Sequence, residues 1–223
     1  MQFFNVLALA SIAAALPLEL EQRQLDRTGI TENEFSRSLT CGQVIFVWAR
    51  GSTEIGNMGT IIGQPLGDEL RKEYGRDLQI EGIDYAALTS TNFLPGGTDL
   101  VSEVMMRNTL NDVHSRCPDA VMLVGGYSQG AAVVHRSVED LDNAVKTQIA
   151  GVVTFGDTQR RADNDQIPNF PKDKIKIFCG GLVRDTVCDG NLGAAVLAPH
   201  LSYGRDAGEA GEFLIGKANA VLG

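Results

Sequence analysis

The chain has 223 residues, 43% of them hydrophobic and 21% charged, which suits one globular domain with a full core. Its formal net charge of −9 argues against a nucleic-acid partner, which needs a basic face. Beyond the first residues, no stretch is long and apolar enough to serve as a membrane anchor.

The N-terminus has the pattern of a targeting segment. Phe3 to Ala15 is an apolar run, and Ala13-Ala14-Ala15 offers a small-x-small cleavage site. No Lys or Arg precedes the run, but it stops at Pro17, a charged stretch follows, and it is too short to span a bilayer. Residues 1–15 are therefore expected to be a signal peptide, 16–23 a short pro-segment and 24–223 the single domain of a secreted protein. The four cysteines, Cys41, Cys117, Cys179 and Cys188, fit that compartment as disulfides, with three pairings open. Nearness in sequence favours Cys179 with Cys188, which leaves Cys41 for Cys117. No Cys-x-x-Cys occurs, so a metal site is not expected.

From there strand and helix patterns alternate. Leu25 to Thr40 is polar and reads as a short helix or an arm. Val44 to Trp48 is a continuous apolar run, as in a strand buried on both faces. Ile61 to Tyr74 has helical spacing through Ile62, Leu66 and Leu70; Leu78 to Tyr85 alternates as a strand. Thr89 to Gly97 is a loop, and Asp99 to Ser115 a helix with Val101, Val104, Met105 and Leu110 expected in the core. A strand over 121–127, a helix over Ala131 to Lys146, strands over Ile149 to Phe155 and Lys174 to Phe178, and a last helix over Gly211 to Leu222 complete the chain. Five strands alternating with helices predict a parallel sheet in a compact three-layer α/β/α sandwich.

The apolar run Val121-Met122-Leu123-Val124 leads into Gly126-Tyr127-Ser128-Gln129-Gly130 and then a small-residue run. Strand, Gly-x-Ser-x-Gly and helix together make a nucleophile elbow. Such an elbow exposes the Ser128 hydroxyl at the tip of the sheet. It also puts the Gln129 N–H at a helix N-terminus, where it can hold an oxyanion.

A serine nucleophile in this setting needs a base and an acid later in the chain, in the order Ser, acid, His. Of the three histidines, His114 precedes Ser128, and a helix would carry His135 about 10 Å away from it. His200 remains. The acid candidates between Ser128 and His200 are Asp185, then Asp157 and Asp189. Asp185 is preferred because it follows the last strand inside the Cys179–Cys188 loop.

Four segments give the chain a wider resemblance. Trp48-Ala49-Arg50-Gly51-Ser52-Thr53-Glu54, Gly126-Tyr127-Ser128-Gln129-Gly130-Ala131, the Cys-bounded loop with its Asp, and Ala198-Pro199-His200-Leu201-Ser202-Tyr203-Gly204 together resemble fungal cutinases. The resemblance runs from about Thr40 to Gly223. It implies a small lidless α/β-hydrolase, a secreted monomeric serine esterase of cutin polyester and short-chain acyl esters that needs no metal or cofactor. It implies Ser128, Asp185 and His200 as the triad and Ser52 and Gln129 as the oxyanion hole. Asn92 would orient Ser52, and the disulfides would be Cys41–Cys117 and Cys179–Cys188.

The chain departs from the family pattern beside the site. The usual Cys-x3-Asp-x2-Cys loop is here Cys179-x5-Asp185-x2-Cys188, longer by two residues at 180–184, and a similar extension falls at 193–195. Both bear on the rim and on chain-length preference. Phe93, Leu94, Leu192 and Leu197 could meet an apolar polyester there. Acetylxylan esterases share the elbow and the residue order and are the enzymatic alternative. The single Trp48, in a core strand, leaves little for sugar stacking. A surface-binding protein without activity is the reading from another class.

Overall fold

The structure, a computed structural model, describes residues 27–180 and 183–223. The expected signal peptide (1–15) and pro-segment (16–23) lie outside the described residues, as do positions 181 and 182 of the acid loop.

β1 (Val44–Ala49), β3 (Val121–Tyr127) and β4 (Ile149–Phe155) are buried at every position. Continuous apolar runs of β-branched and aromatic residues fit only strands covered on both faces. With β2 (Leu78–Gly82) and β5 (Ile175–Phe178) they form a five-stranded parallel sheet in the order β2-β1-β3-β4-β5. The chain starts in the middle, goes out to β2 and returns past β1 to β3. The C-terminal ends of β1 and β3 therefore flank the point where strand order reverses, the usual position of a ligand crevice in such sheets. In register, Ala49 lies beside Gly126, so the turns that follow carry Ser52 and Ser128 towards each other.

Alternation along each strand feeds two cores. Ile45, Val47, Met122 and Val124 pack under α3 (Leu100–Arg116) and α4 (Gln129–Glu139). Val44, Phe46, Trp48 and Leu123 pack under α2 (Gly63–Tyr74) and α6 (Ala207–Leu222). The arm expected before β1 holds a short α1 (Glu34–Arg37) along the exposed edge of β2. There Glu34 accepts the Ile80 N–H at 2.7 Å and Glu32 O the Gly82 N–H at 2.9 Å, so these edge donors find partners, while Glu81 accepts the Ser36 N–H of α1 at 3.0 Å. No helix among the described residues is long and apolar enough to cross a membrane. The structure joins Cys41 to Cys117 and Cys179 to Cys188, with Cα separations of 5.7 and 6.0 Å.

Three local expectations are corrected. On α3 the buried side is Ser102, Met106, Leu110 and Val113, while Val101 and Val104 are 68% and 38% exposed and Met105 is half-buried. The i, i+4, i+7 stripe of Met106, Leu110 and Val113 sets the phase, and the first-turn apolar residues fall off it. The helix expected over 131–146 is two helices, α4 and α5 (Asn143–Gln148). Leu141 turns into the core between them, and Asp142 takes an extended backbone that starts the second helix. β2 stops at Gly82 because the next carbonyls have other partners. Asn57 Nδ2 donates to Gly82 O at 2.9 Å, and the Arg50 guanidinium to Tyr85 O at 2.7 Å.

Candidate active site

β3 ends in a forced turn. Ser128 sits at φ 54°, ψ −115°, a region that costs a non-glycine residue about 1–3 kcal/mol. The flanking glycines are steric requirements. A Cβ on Gly126 would lie 2.4 Å from Gly130 O, and one on Gly130 would lie 2.0 Å from Ala49 O. α4 can therefore start directly against β1 only with hydrogen at both positions. Ser128 N–H donates to Phe155 O at 2.8 Å, which ties the turn to β4.

The structure brings Ser128, His200 and Asp185 together across 72 and 15 residues of sequence. His200 Nε2 is 2.9 Å from Ser128 Oγ, and its Nδ1 is 2.7 Å from Asp185 Oδ2. All three are buried, at 7%, 2% and 1% exposure. With the carboxylate ionised, Nδ1 carries the proton and Nε2 is left to accept from the serine hydroxyl. Burial alone would raise the Asp185 carboxyl, but hydrogen bonds from His200 and Tyr203 outweigh it and hold the group below its ordinary range. The other two acid candidates are elsewhere. Asp157 is buried against His135, and Asp189 faces Arg160 and Arg184.

Two tyrosines complete this arrangement that the sequence reading did not single out. Tyr203 is fully buried and its hydroxyl donates to Asp185 Oδ2 at 2.7 Å, the same oxygen that receives His200. Val187 N–H fills the other oxygen at 3.0 Å. Tyr127 donates to His200 O at 2.9 Å and its ring lies 5.1 Å from the imidazole. Tyr203 stands three residues after His200, a spacing visible in the sequence but without meaning until the acid is placed.

Facing the serine is the turn after β1. The motif Arg50-Gly51-Ser52-Thr53-Glu54 holds itself in shape. Glu54 accepts the N–H groups of Gly51, Thr60 and Ile61 at 2.8, 2.9 and 3.0 Å, while Arg50 Nε donates to Glu54 O at 2.9 Å. Asn92 Nδ2 donates to Ser52 Oγ at 2.9 Å. Gln129 ties down the same loop as Asn92, since its Nε2 donates to Leu88 O at 2.8 Å and to Thr91 Oγ1 at 2.6 Å. Ser52, Asn92, Ser128 and His200 line one cleft of about 530 Å³. A larger cleft of about 740 Å³, along Glu34, Arg71 and Gln79, lies on the β2 side and has no nucleophile beside a base. The rim of the Ser128 cleft is apolar. Phe93, Val196 and Leu201 are 72%, 78% and 48% exposed.

Residues 40–218 match the cutinase family model. Over its whole length the chain is 45% identical to a cutinase of Fusarium solani subsp. cucurbitae, covering 99% of that protein. It is 42% identical to probable cutinase 1 of Aspergillus niger over 96% of this chain and 82% of that one. Among solved structures, the cutinase of Trichoderma reesei in complex with a phosphonate inhibitor superposes with a TM-score of 0.73 at 33% identity, over 85% of this chain and 80% of that one. An acetylxylan esterase shares the fold, with a TM-score of 0.61 at 19% identity over 82% of this chain and 100% of that one. The chain belongs to the cutinase family and is a carboxylic ester hydrolase.

Proposed function

We propose that this protein is a secreted serine esterase that cleaves cutin polyester and short-chain acyl esters through Ser128, His200 and Asp185. The observation that carries the reading is the unbroken hydrogen-bond chain from Ser128 Oγ through both ring nitrogens of His200 to Asp185 Oδ2. His200 takes the serine proton as Oγ attacks the ester carbonyl, and Asp185 stabilises the imidazolium that forms. The tetrahedral oxyanion is held by the backbone N–H groups of Ser52 and Gln129, with the Ser52 hydroxyl, oriented by Asn92, as a third donor. His200 then gives its proton to the leaving alcohol. Water, activated by the same imidazole, releases the acyl group. No cofactor enters any step.

The secreted location rests on the leader pattern over 1–15 and on two disulfides, which persist in oxidising compartments. Residues 24–223 form one hydrolase domain on this reading, acting as a monomer. The exposed Phe93, Val196 and Leu201, with Leu192 beside them, give the cleft an apolar rim suited to a waxy polyester and to acyl chains longer than acetate.

Rates on p-nitrophenyl esters from acetate to palmitate, beside insoluble cutin, test the substrate. A maximum near butyrate with release of cutin monomers is expected. Activity confined to acetate, with acetyl release from acetylated xylan, would replace this reading with that of an acetylxylan esterase. Ser52→Ala removes one oxyanion donor and is expected to lower kcat by about 10²–10³ while KM for p-nitrophenyl butyrate changes little.

A further inference from the structure

A second histidine is enclosed by acids a short distance behind the reacting serine. His135 lies on α4, seven residues after Ser128, and is fully buried. Its Nδ1 is 2.7 Å from Asp163 Oδ2 and its Nε2 is 2.9 Å from Asp157 Oδ2. An ionised carboxylate only accepts and a neutral imidazole donates from one nitrogen only, so with Asp157 and Asp163 both ionised the two contacts are hydrogen bonds when the ring is an imidazolium.

Asp157 is itself fully buried and accepts from Thr154 Oγ1 at 2.6 Å and from the N–H groups of Gln159 and Arg160 at 2.9 and 3.0 Å. Asp163 also pairs with Arg136, which holds Glu139 at 3.1 Å on the same helix. The cluster thus fixes both ends of a loop that leaves β4 at Gly156 and runs to Asp165.

That loop touches the reactive site twice. Gly156 is the wall behind the catalytic imidazole, since a Cβ there would lie 2.5 Å from His200 Cε1 and 3.1 Å from Asp185 Oδ2. Further on, Arg160 reaches Asp189 Oδ1 at 3.3 Å and Arg161 reaches Asp189 O at 3.1 Å. Arg184 meets the same Asp189 carboxylate at 2.5 Å, so the extended acid loop is tethered to this segment. The 156–165 segment therefore joins the helix of the nucleophile to the loop of the acid.

We propose that His135, held as an imidazolium between Asp157 and Asp163, is a positioning residue that sets the 156–165 loop against which His200 and Asp185 align with Ser128. The proposal rests on the triad reading above. It makes the site depend on a titration outside it. Burial alone would lower the His135 value, but Asp157 and Asp163 outweigh it and raise it to about 9. The charged groups around the ring are Asp157 and Asp163 from the loop, Arg136 and Glu139 from α4, and Glu103 of α3 beyond Arg136. The folded value lies above the ordinary 6.5, so the clamp is complete below pH 6.5 and is lost as pH rises through about 9.

The test is kcat and KM for p-nitrophenyl butyrate from pH 6 to 10.5, with self-hydrolysis subtracted, for the wild type, His135→Gln and Asp163→Asn. NMR titration of the His135 ring in the wild type runs alongside. The wild type should lose kcat reversibly above about pH 9 at constant KM, following the ring titration. His135→Gln should lower kcat about tenfold at pH 8 with KM unchanged and remove that limb, a loss expected of sub-ångström misalignment. Asp163→Asn, a milder change, should move the limb to lower pH. Wild-type kcat in both variants with the limb in place, even at a lower melting temperature, would overturn the proposal, as would a ring that titrates near its ordinary value. If His135→Gln does not fold, Asp163→Asn and the wild-type titration decide. Turnover by a Ser128→Ala control would instead overturn the triad reading, so the two failures are separable.

Discussion

Ser128→Ala is expected to lower kcat on p-nitrophenyl butyrate by about 10⁴–10⁶ and to abolish the acylation burst, the scale seen when a serine nucleophile is removed from a triad. Little else in the protein should change. The mutation keeps the backbone at φ 54°, and alanine has no greater difficulty there than serine. The turn keeps its hydrogen bond to Phe155 O and the steric fit of Gly126 and Gly130. Circular dichroism and melting temperature should therefore match the wild type. Ester binding in the cleft should survive, because the apolar rim and the Asn92–Ser52 pair are untouched. Burst-phase kinetics with an enzyme titrated by mass separate this loss of chemistry from a loss of folded protein.

Asp185→Asn is expected to cost about 10⁴ in kcat. The asparagine would fill the same space between Tyr203 and Val187 N–H. Its side chain can donate to Nδ1, which stabilises the tautomer with the proton on Nε2, where it cannot accept from Ser128. The imidazolium formed during attack would also lose its counter-charge. The acid has a second signature in pH dependence. Its folded value lies below the ordinary 3.8, so its contribution to stability is present above pH 3.8 and is lost as pH falls through the lower folded value. Asp185→Asn should flatten that acid limb of the melting temperature. Asp189→Asn changes only contacts to Arg160 and Arg184 and is expected to act far more weakly on kcat. A larger effect at Asp189 than at Asp185 would contradict this assignment.

The parts of the candidate site that sequence made legible are those dictated by sterics or by scarcity. Gly-x-Ser-x-Gly is readable because α4 cannot approach β1 with a Cβ at either glycine, a constraint that leaves few alternative residues. His200 is readable because only three histidines exist and chain order and helix geometry leave one. β1, β3 and β4 are readable because both faces are buried, which forces continuous apolar runs.

What stayed hidden depends on where distant groups land. The phase of α3 could not be read from Val101 and Val104, because apolar residues in its first turn are exposed and imitate a core stripe. The break after α4 depends on Leu141 finding a place in the core, a tertiary fact. The role of Glu54, three backbone donors on one carboxylate, needs the turn that it creates. Tyr203 and His135 are ordinary residues in sequence. The first acquires meaning from an acid 18 residues earlier, the second from acids 22 and 28 residues later.

The most direct measurement of the central claim is peptide mapping by mass spectrometry after incubation with a p-nitrophenyl alkylphosphonate. The hydroxyl that attacks an ester should attack phosphorus, release p-nitrophenol and retain the alkylphosphonyl group. One adduct per chain, on the peptide that contains Ser128, with parallel loss of esterase activity and no adduct in Ser128→Ala, is the predicted result. An inactivated protein with its adduct at another residue, or an active esterase that takes none, would contradict the account.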